Sequence, residues 1–316
     1  TTSNGFFVLN GGLYDPSGAP FRIRGTNRNH IDQGSGPAFA LTGQAAMRCF
    51  LDSGAYSEAT QEGWISSQLI ANGQFAVVTR AFDNAGNSTS GSSVLLASSG
   101  GKAGMQTIVQ EWVSAYSAWA PTMESIAINI ANEWGDPNNT TWEYAYQAVS
   151  GSISSISGST ITLSTVSGTN PFANALSIGL AYIKGAGGVT DQVVVITGIG
   201  GSSGAWTVTM SGSISGYTSG GALWGGAVGI LRAAGYTCPL VIDSGADGQD
   251  INDLLNYSSA VFNSDPLKNI IFSFHFYGLG NSFPPGSTLA QMNTILADLA
   301  SLQSSVGAVY IFGEFS

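Results

Sequence analysis

Two carboxylates in this chain stand where short apolar runs come to an end. The stretch "IAINIANEWG" delivers Asn132 and Glu133, and "VYIFGEF" delivers Glu314 in the same manner. Two carboxyl groups facing one another across a cleft can work as a pair: one protonates a leaving oxygen while the other attacks or activates water, the requirement for breaking a glycosidic bond. "FSFHFYG" adds His275 and Tyr277, two residues apart and therefore on one face of a strand. "AMRCFLD" sets Arg48 inside an apolar run, where a buried cation needs an acidic partner.

Taken singly, each residue has a plainer reading. A glutamate at a strand end is commonly a cap or a surface ion pair, a lone histidine commonly a satisfied core group, and a tyrosine commonly packing. The conjunction carries the argument. Asn-Glu, His-x-Tyr and Gly-Glu-Phe fall at the ends of separate strands in a chain of which only 9% is charged.

The elements that must position these residues alternate along the chain. Candidate strands cover 21–27, 46–51, 75–82, 125–132, 239–244, 270–277 and 309–315, and between them "SEATQEGWISSQLIANG" and "MQTIVQEWVSAYSAW" repeat apolar residues at three- and four-residue steps. Strand and helix in alternation predict a parallel sheet, and near-continuous apolar strands predict burial on both faces. The expected fold class is therefore α/β, a (β/α)8 barrel whose active site lies at the C-terminal ends of the strands. Seven strands are read, and the eighth is missing.

Between residues 150 and 225 the rhythm changes. "SGSISSISGSTITLSTVSG" and "DQVVVITGIGGSSGAWTVTMSGSISGYTSGG" alternate β-branched residues with serine and are punctuated by glycine, the pattern of antiparallel strands and tight turns. The expected organisation is a barrel from 1–149 and 226–316, with an inserted antiparallel β unit at 150–225 in the helix after the fourth strand.

Nineteen acidic against nine basic residues give a net charge of −10, which opposes nucleic acid and anionic membrane and suits a neutral polysaccharide. No apolar run reaches membrane-spanning length, and "TTSNGFFVLNGG" lacks the basic start of a secretion signal, so any signal is expected to have been removed and the protein to be secreted or held at the cell surface. Cys49 and Cys238 are expected to be free buried thiols. Two histidines and two cysteines, none at ligand spacing, give no expected metal or other cofactor. Sequons at Asn87 and Asn138 are of a kind that arises by chance in so Ser/Thr/Asn-rich a chain.

The stretches "FRIRGTNRNH", "IAINIANEWG", "LRAAGYTCPLVIDSGADGQD", "VFNSDPLKNIIFSFHFYG" and "VYIFGEF" together resemble glycoside hydrolase family 5, a family of retaining barrel hydrolases, and within it bacterial endo-β-1,4-mannanases. The resemblance implies Glu133 as acid/base and Glu314 as nucleophile. It further implies Asn132 as a partner of the sugar 2-hydroxyl, Arg48, His275 and Tyr277 as groups that position and tune the nucleophile, and His30 on the glycone side of the substrate site.

Three departures from that pattern stand out. Phe82 precedes Asp83 where the family usually has histidine, "IDQG" replaces an aromatic residue after His30, and the family's eighth strand with its sugar-stacking tryptophan is not present. A seven-stranded barrel leaves two open edges, so self-assembly or a partner chain completing the barrel is one expectation. The main expectation is an endo-acting hydrolase of a neutral β-1,4-linked polysaccharide, with mannan favoured. The alternative is a non-catalytic structural or adhesive surface protein built on the same barrel.

Overall fold

The computed structural model describes residues 5–28, 43–51, 56–80, 98–135, 140–164, 168–277 and 289–315. His30, Phe82, Asp83, Asn87 and Asn138 lie outside them. Among the described residues, seven strands form one parallel sheet whose order follows the chain: β4 (Gly25–Arg28), β5 (Ala46–Leu51), β6 (Phe75–Arg80), β7 (Ile126–Asn129), β13 (Leu240–Asp243), β14 (Ile270–Phe276) and β15 (Val309–Phe315). Every residue of β5, β6, β7, β13 and β14 is buried, because one face fills the barrel and the other meets the helices.

The helix layer consists of α1 (Glu58–Gln68), α2 (Ser98–Trp119), α3 (Thr140–Tyr146), α4 (Ala227–Ala234), α5 (Ile251–Ser264) and α6 (Leu289–Val306). Starts are set by local chemistry. The Ser57 hydroxyl accepts the Thr60 N–H ahead of α1, and the Asp250 carboxylate accepts the Asn252 N–H ahead of α5.

The first candidate strand divides in two. Phe21 belongs to a small antiparallel sheet of β1 (Phe7–Leu9), β2 (Gly12–Tyr14) and β3 (Pro20–Phe21), and only Gly25–Arg28 enters the barrel. Gly25 permits that entry, since a Cβ there would fall 1.8 Å from the Ala46 carbonyl oxygen. The small sheet lies at the N-terminal end of the barrel, where Val8 N–H donates to Asn269 Oδ1 at 2.9 Å and the rings of Phe6, Phe21 and Phe75 meet.

The barrel is open at one seam. β4 and β15 are the two edges of the sheet, and Asn27 Nδ2 reaches between them to donate to the Gly313 carbonyl at 3.1 Å. Between the edges lies a cavity of about 780 Å³, lined among others by Arg22, Arg24, Tyr310, Phe312 and Phe315.

A second, closed barrel is antiparallel. It is formed by β8 (Val149–Leu163), β9 (Leu180–Lys184), β10 (Gln192–Ser202), β11 (Ala205–Ile214) and β12 (Ala222–Gly225), in the cyclic order β10, β11, β8, β12, β9. Its core contains Ile161, Phe172, Ile183, Val208 and Leu223 and is distinct from the main one. Chain enters it after α3 and leaves into α4, at residues 149 and 225, which are register partners. Lys102 and Gln106 of α2 tie it to the main barrel by donating to the Leu176 and Ile178 carbonyls at 2.8 and 2.7 Å.

Candidate active site

The C-terminal ends of the parallel strands bring all six described candidates, Arg48, Asn132, Glu133, His275, Tyr277 and Glu314, into one network of hydrogen bonds and ion pairs. Asn132 and Glu133 follow β7, where Glu133 takes a left-handed backbone with φ of 55°. Arg48 comes from β5, His275 from β14, and Tyr277 from just beyond β14. Glu314 lies within β15 rather than in a loop.

Its placement depends on an irregularity. Phe274 pairs with Phe312, but His275 pairs with Glu314, so β15 contains one extra residue, Gly313. Such a bulge re-aims the side chain that follows it. Here it turns Glu314 toward Arg48, whose Nη1 donates to Oε1, and toward Tyr277, whose hydroxyl donates to Oε2. Both oxygens of Glu314 thus accept from donors.

Glu133 has other neighbours. His275 Nδ1 is 2.9 Å from its Oε1, and Asn132 Nδ2 is 3.2 Å from its Oε2. Arg48 Nη2 also reaches Asn132 Oδ1 at 2.6 Å, so one guanidinium connects the surroundings of both glutamates. Oxygen atoms of Glu133 and Glu314 and a ring nitrogen of His275 all lie within 4.8 Å of one another. That spacing could also chelate a cation. The donors, however, are committed: both Glu314 oxygens to Arg48 and Tyr277, and the His275 Nδ1 to Glu133.

One expectation is revised by position. His275 is fully buried, with Nδ1 at 2.9 Å from Glu133 Oε1 and 4.0 Å from Glu314 Oε1, so its hydrogen bond goes to Glu133 rather than to the expected nucleophile. Arg48 is only 6% exposed and His275 not at all, so neither forms a substrate-binding surface. They support the carboxylates from behind.

One residue of this cluster escapes a reading of sequence. Asp243 ends β13 and is completely buried. It follows the same rule that singles out Glu133, an acid at the end of an apolar strand, but in "PLVIDS" only a serine stands beside it. Asn129 of β7 is likewise hidden in an apolar run, and its Nδ2 donates to Asp243 Oδ1 at 3.0 Å.

Burial raises the pKa of Glu133; the bond from His275 opposes that rise, and the charges of Glu314 and Asp243 add to it. Burial pulls His275 down, but Asp243 and Glu133 outweigh it and lift His275 to about 9. Burial works against Asp243 as well, yet Arg48 and His275 hold it well below the usual carboxylate range. Tyr277 is pushed up by burial and by its bond to Glu314, and so remains a donor. Arg48 and His275 together place two positive charges among three carboxyl groups. The cluster is therefore neutral when one carboxyl keeps its proton, and burial favours Glu133 as that group.

No protein-family model matches the chain. Comparison with curated proteins finds a mannan endo-1,4-β-mannosidase of Salipaludibacillus agaradhaerens, 24% identical over 281 residues, covering 86% of this chain and 62% of that protein. Another, from Cellvibrio japonicus, is 46% identical over 91 residues, 28% of this chain and 19% of its own length. Among solved structures, the β-mannanase of Thermomonospora fusca matches with a TM-score of 0.58 at 19% identity, covering 99% of this chain and 75% of that one.

The chain is similar to β-mannanases. The likeness in sequence covers 86% of the chain, and the likeness in fold covers 99% of it. A mannanase catalytic domain from Streptomyces sp. SirexAA-E gives a TM-score of 0.57 at 17% identity, covering 100% of this chain and 72% of that one. At these identities the structural likeness establishes the β-mannanase barrel fold. The chain spans about three-fifths of the length of the first curated β-mannanase and about one-fifth of the second.

Proposed function

We propose that this chain carries the catalytic site of an endo-acting, retaining hydrolase of β-1,4-linked mannan. The observation that supports it most directly is the pair Glu133 and Glu314, with carboxyl oxygens within 4.8 Å and different surroundings. Retaining enzymes hold their carboxyl groups about 5–5.5 Å apart, whereas inverting enzymes leave room for a water at roughly 6.5–9.5 Å. In this reading Glu314 attacks the anomeric carbon while Glu133 passes its proton to the departing glycosidic oxygen. The glycosyl–enzyme bond is then broken by a water that gives its proton back to Glu133.

Mannan is favoured as substrate by the names of the two curated proteins the chain resembles. Action outside the cell follows from a polymeric substrate, and no helix among the described residues is long and apolar enough to cross a membrane. Self-association across the seam between β4 and β15 is a further proposal, read out by the mass of the chain in solution.

The test is to express residues 1–316 and assay soluble mannan beside a cellulosic substrate. Mannan should be cleaved internally with retained anomeric configuration in the first-formed product, observed by NMR. Glu314→Gln should reduce turnover at least about a thousandfold with the fold intact. Turnover that survives this substitution, or an inverted first product, would sink the reading.

A further inference from the structure

Behind the two glutamates, Asp243 gathers four contacts on one carboxylate. Oδ2 accepts from Arg48 Nη2 at 2.9 Å and from the Glu133 backbone N–H at 3.0 Å. Oδ1 accepts from Asn129 Nδ2 at 3.0 Å and lies 3.5 Å from His275 Nε2. We propose that Asp243 is a positioning residue for Glu133, acting on it directly at the backbone N–H and indirectly through the His275 ring.

The direct contact bears on a strained place. Glu133 has φ of 55°, a conformation that a side chain with a Cβ seldom adopts without support. Its N–H, turned inward by that conformation, is met by a charged acceptor. The Asp243 carbonyl is itself fixed by Trp142 Nε1 at 3.0 Å, so the support comes from a residue held in place by the helix layer.

The indirect contact passes through a ring that cannot turn aside. A Cβ at Gly248 would fall 2.4 Å from His275 Nδ1, and one at Gly313 would fall 2.9 Å from Nε2, so two glycines sit against the imidazole. Held in that way, the ring presents Nε2 to Asp243 and Nδ1 to Glu133 Oε1. The charged or titratable groups around it are Asp243 from β13, Glu133 after β7, Glu314 on β15, Arg48 on β5 and Tyr277 beyond its own strand. Of the carboxylates, Asp243 is the one that is fully buried, and it is the largest influence raising the histidine. Without its charge, burial would be opposed chiefly by the bond to Glu133, and the pKa of the ring would fall. In its neutral form the ring gives Glu133 a bond of the neutral kind, weaker than a charge-assisted one.

A structural ion pair with Arg48 alone would require less. Arg48 is already partnered by Glu314 and by Asn132, and pairing with it leaves the Oδ1 contacts without a purpose. The kinetic half of the test rests on the hydrolase reading; the spectroscopic half does not.

The chain has two histidines, so imidazole nitrogen NMR of the whole protein gives two titrations, assigned with His30→Gln. In the native chain the His275 midpoint is expected near 9. In Asp243→Asn, which keeps shape but removes charge, it should fall by about two units or more. Turnover of mannan should drop about 30- to 100-fold with KM changed less than about threefold, and the alkaline limb of kcat should move to lower pH. An unmoved midpoint in folded Asp243→Asn overturns the inference, even if activity falls. If that variant does not fold, the native titration decides: a midpoint above about 8 supports the assignment and a lower one overturns it. A lowered midpoint in the variant of a chain that never cleaves mannan upholds the role of Asp243 in holding His275 and defeats the hydrolase reading instead.

Discussion

A side chain at residue 313 would have nowhere to go, since a Cβ there falls 2.1 Å from Ser273 Oγ and 2.9 Å from His275 Nε2. The missing atom is what allows the bulge that turns Glu314. Gly313→Ala is therefore expected to displace Glu314 or His275 and to lower kcat on mannan about 100-fold, the scale of an ångström-sized misplacement. Adding Ser273→Gly removes the nearer obstacle and should recover at least about tenfold of that loss, a coupling that a double-mutant cycle measures directly. At this scale the sequence was partly legible. Glu133, Glu314, Arg48, His275 and Tyr277 could be singled out because each is a polar residue in or at the end of an apolar strand. Asp243 obeys the same rule but is isolated in its run. The part played by Gly313 is steric and depends on the register of a neighbouring strand, which no single stretch of residues records.

Elements were legible where burial was complete on both faces. The strands at 46–51, 240–243 and 270–276 are largely apolar and buried throughout, and all of them stand in the parallel sheet. The small β1–β2 hairpin was missed, although Asn10-Gly11 is the dipeptide expected of a two-residue turn, with φ of 49° and 75° at its two positions. Helix α4 meets the following strands through a buried ion pair: Arg232 Nε and Nη2 donate to the two oxygens of Asp265 at 2.9 Å each. The same guanidinium donates to the Tyr236, Cys238 and Asn269 carbonyls. Removing Arg232 leaves a buried carboxylate without its countercharge, held only by the Leu267 and Asn269 N–H groups, and deprives three carbonyls of a donor. Arg232→Ala should lower stability by about 3–5 kcal/mol, measured by denaturant unfolding, while Arg232→Lys keeps the charge but loses the fork and should fall between.

For the molecule as a whole, the placement of the antiparallel barrel matters more than its contents. Val149 and Gly225 are register partners on neighbouring strands, so the ends of the inserted segment lie about 5 Å apart. Excising 149–225 and joining Ala148 to Gly226 should leave a folded parallel barrel, seen as retained far-UV circular dichroism with a cooperative melt. Loss of the melt would show that the contacts of Lys102 and Gln106 with the inserted barrel are needed for stability. The reading of residues 150–225 as an insertion rests on two unlike periodicities that meet at their borders. The cyclic strand order was not legible, because short alternating strands of serine, threonine and valine fit several pairings equally well.

The contacts that define the site also join distant parts of the chain. Arg48 and Glu314 are 266 residues apart in sequence, and Asn27 and Gly313 are 286 apart. Contacts of such long range reward the chain only after most of the loop between them has been ordered. In a refolding experiment the helices and the sheet between β5 and β14 can therefore gain structure while β15 is still undocked. Return of the far-UV signal should precede return of mannan turnover, with the interval set by β15 docking onto β14 and reaching Arg48. If the two signals recover together, docking of the last strand is not a separate event.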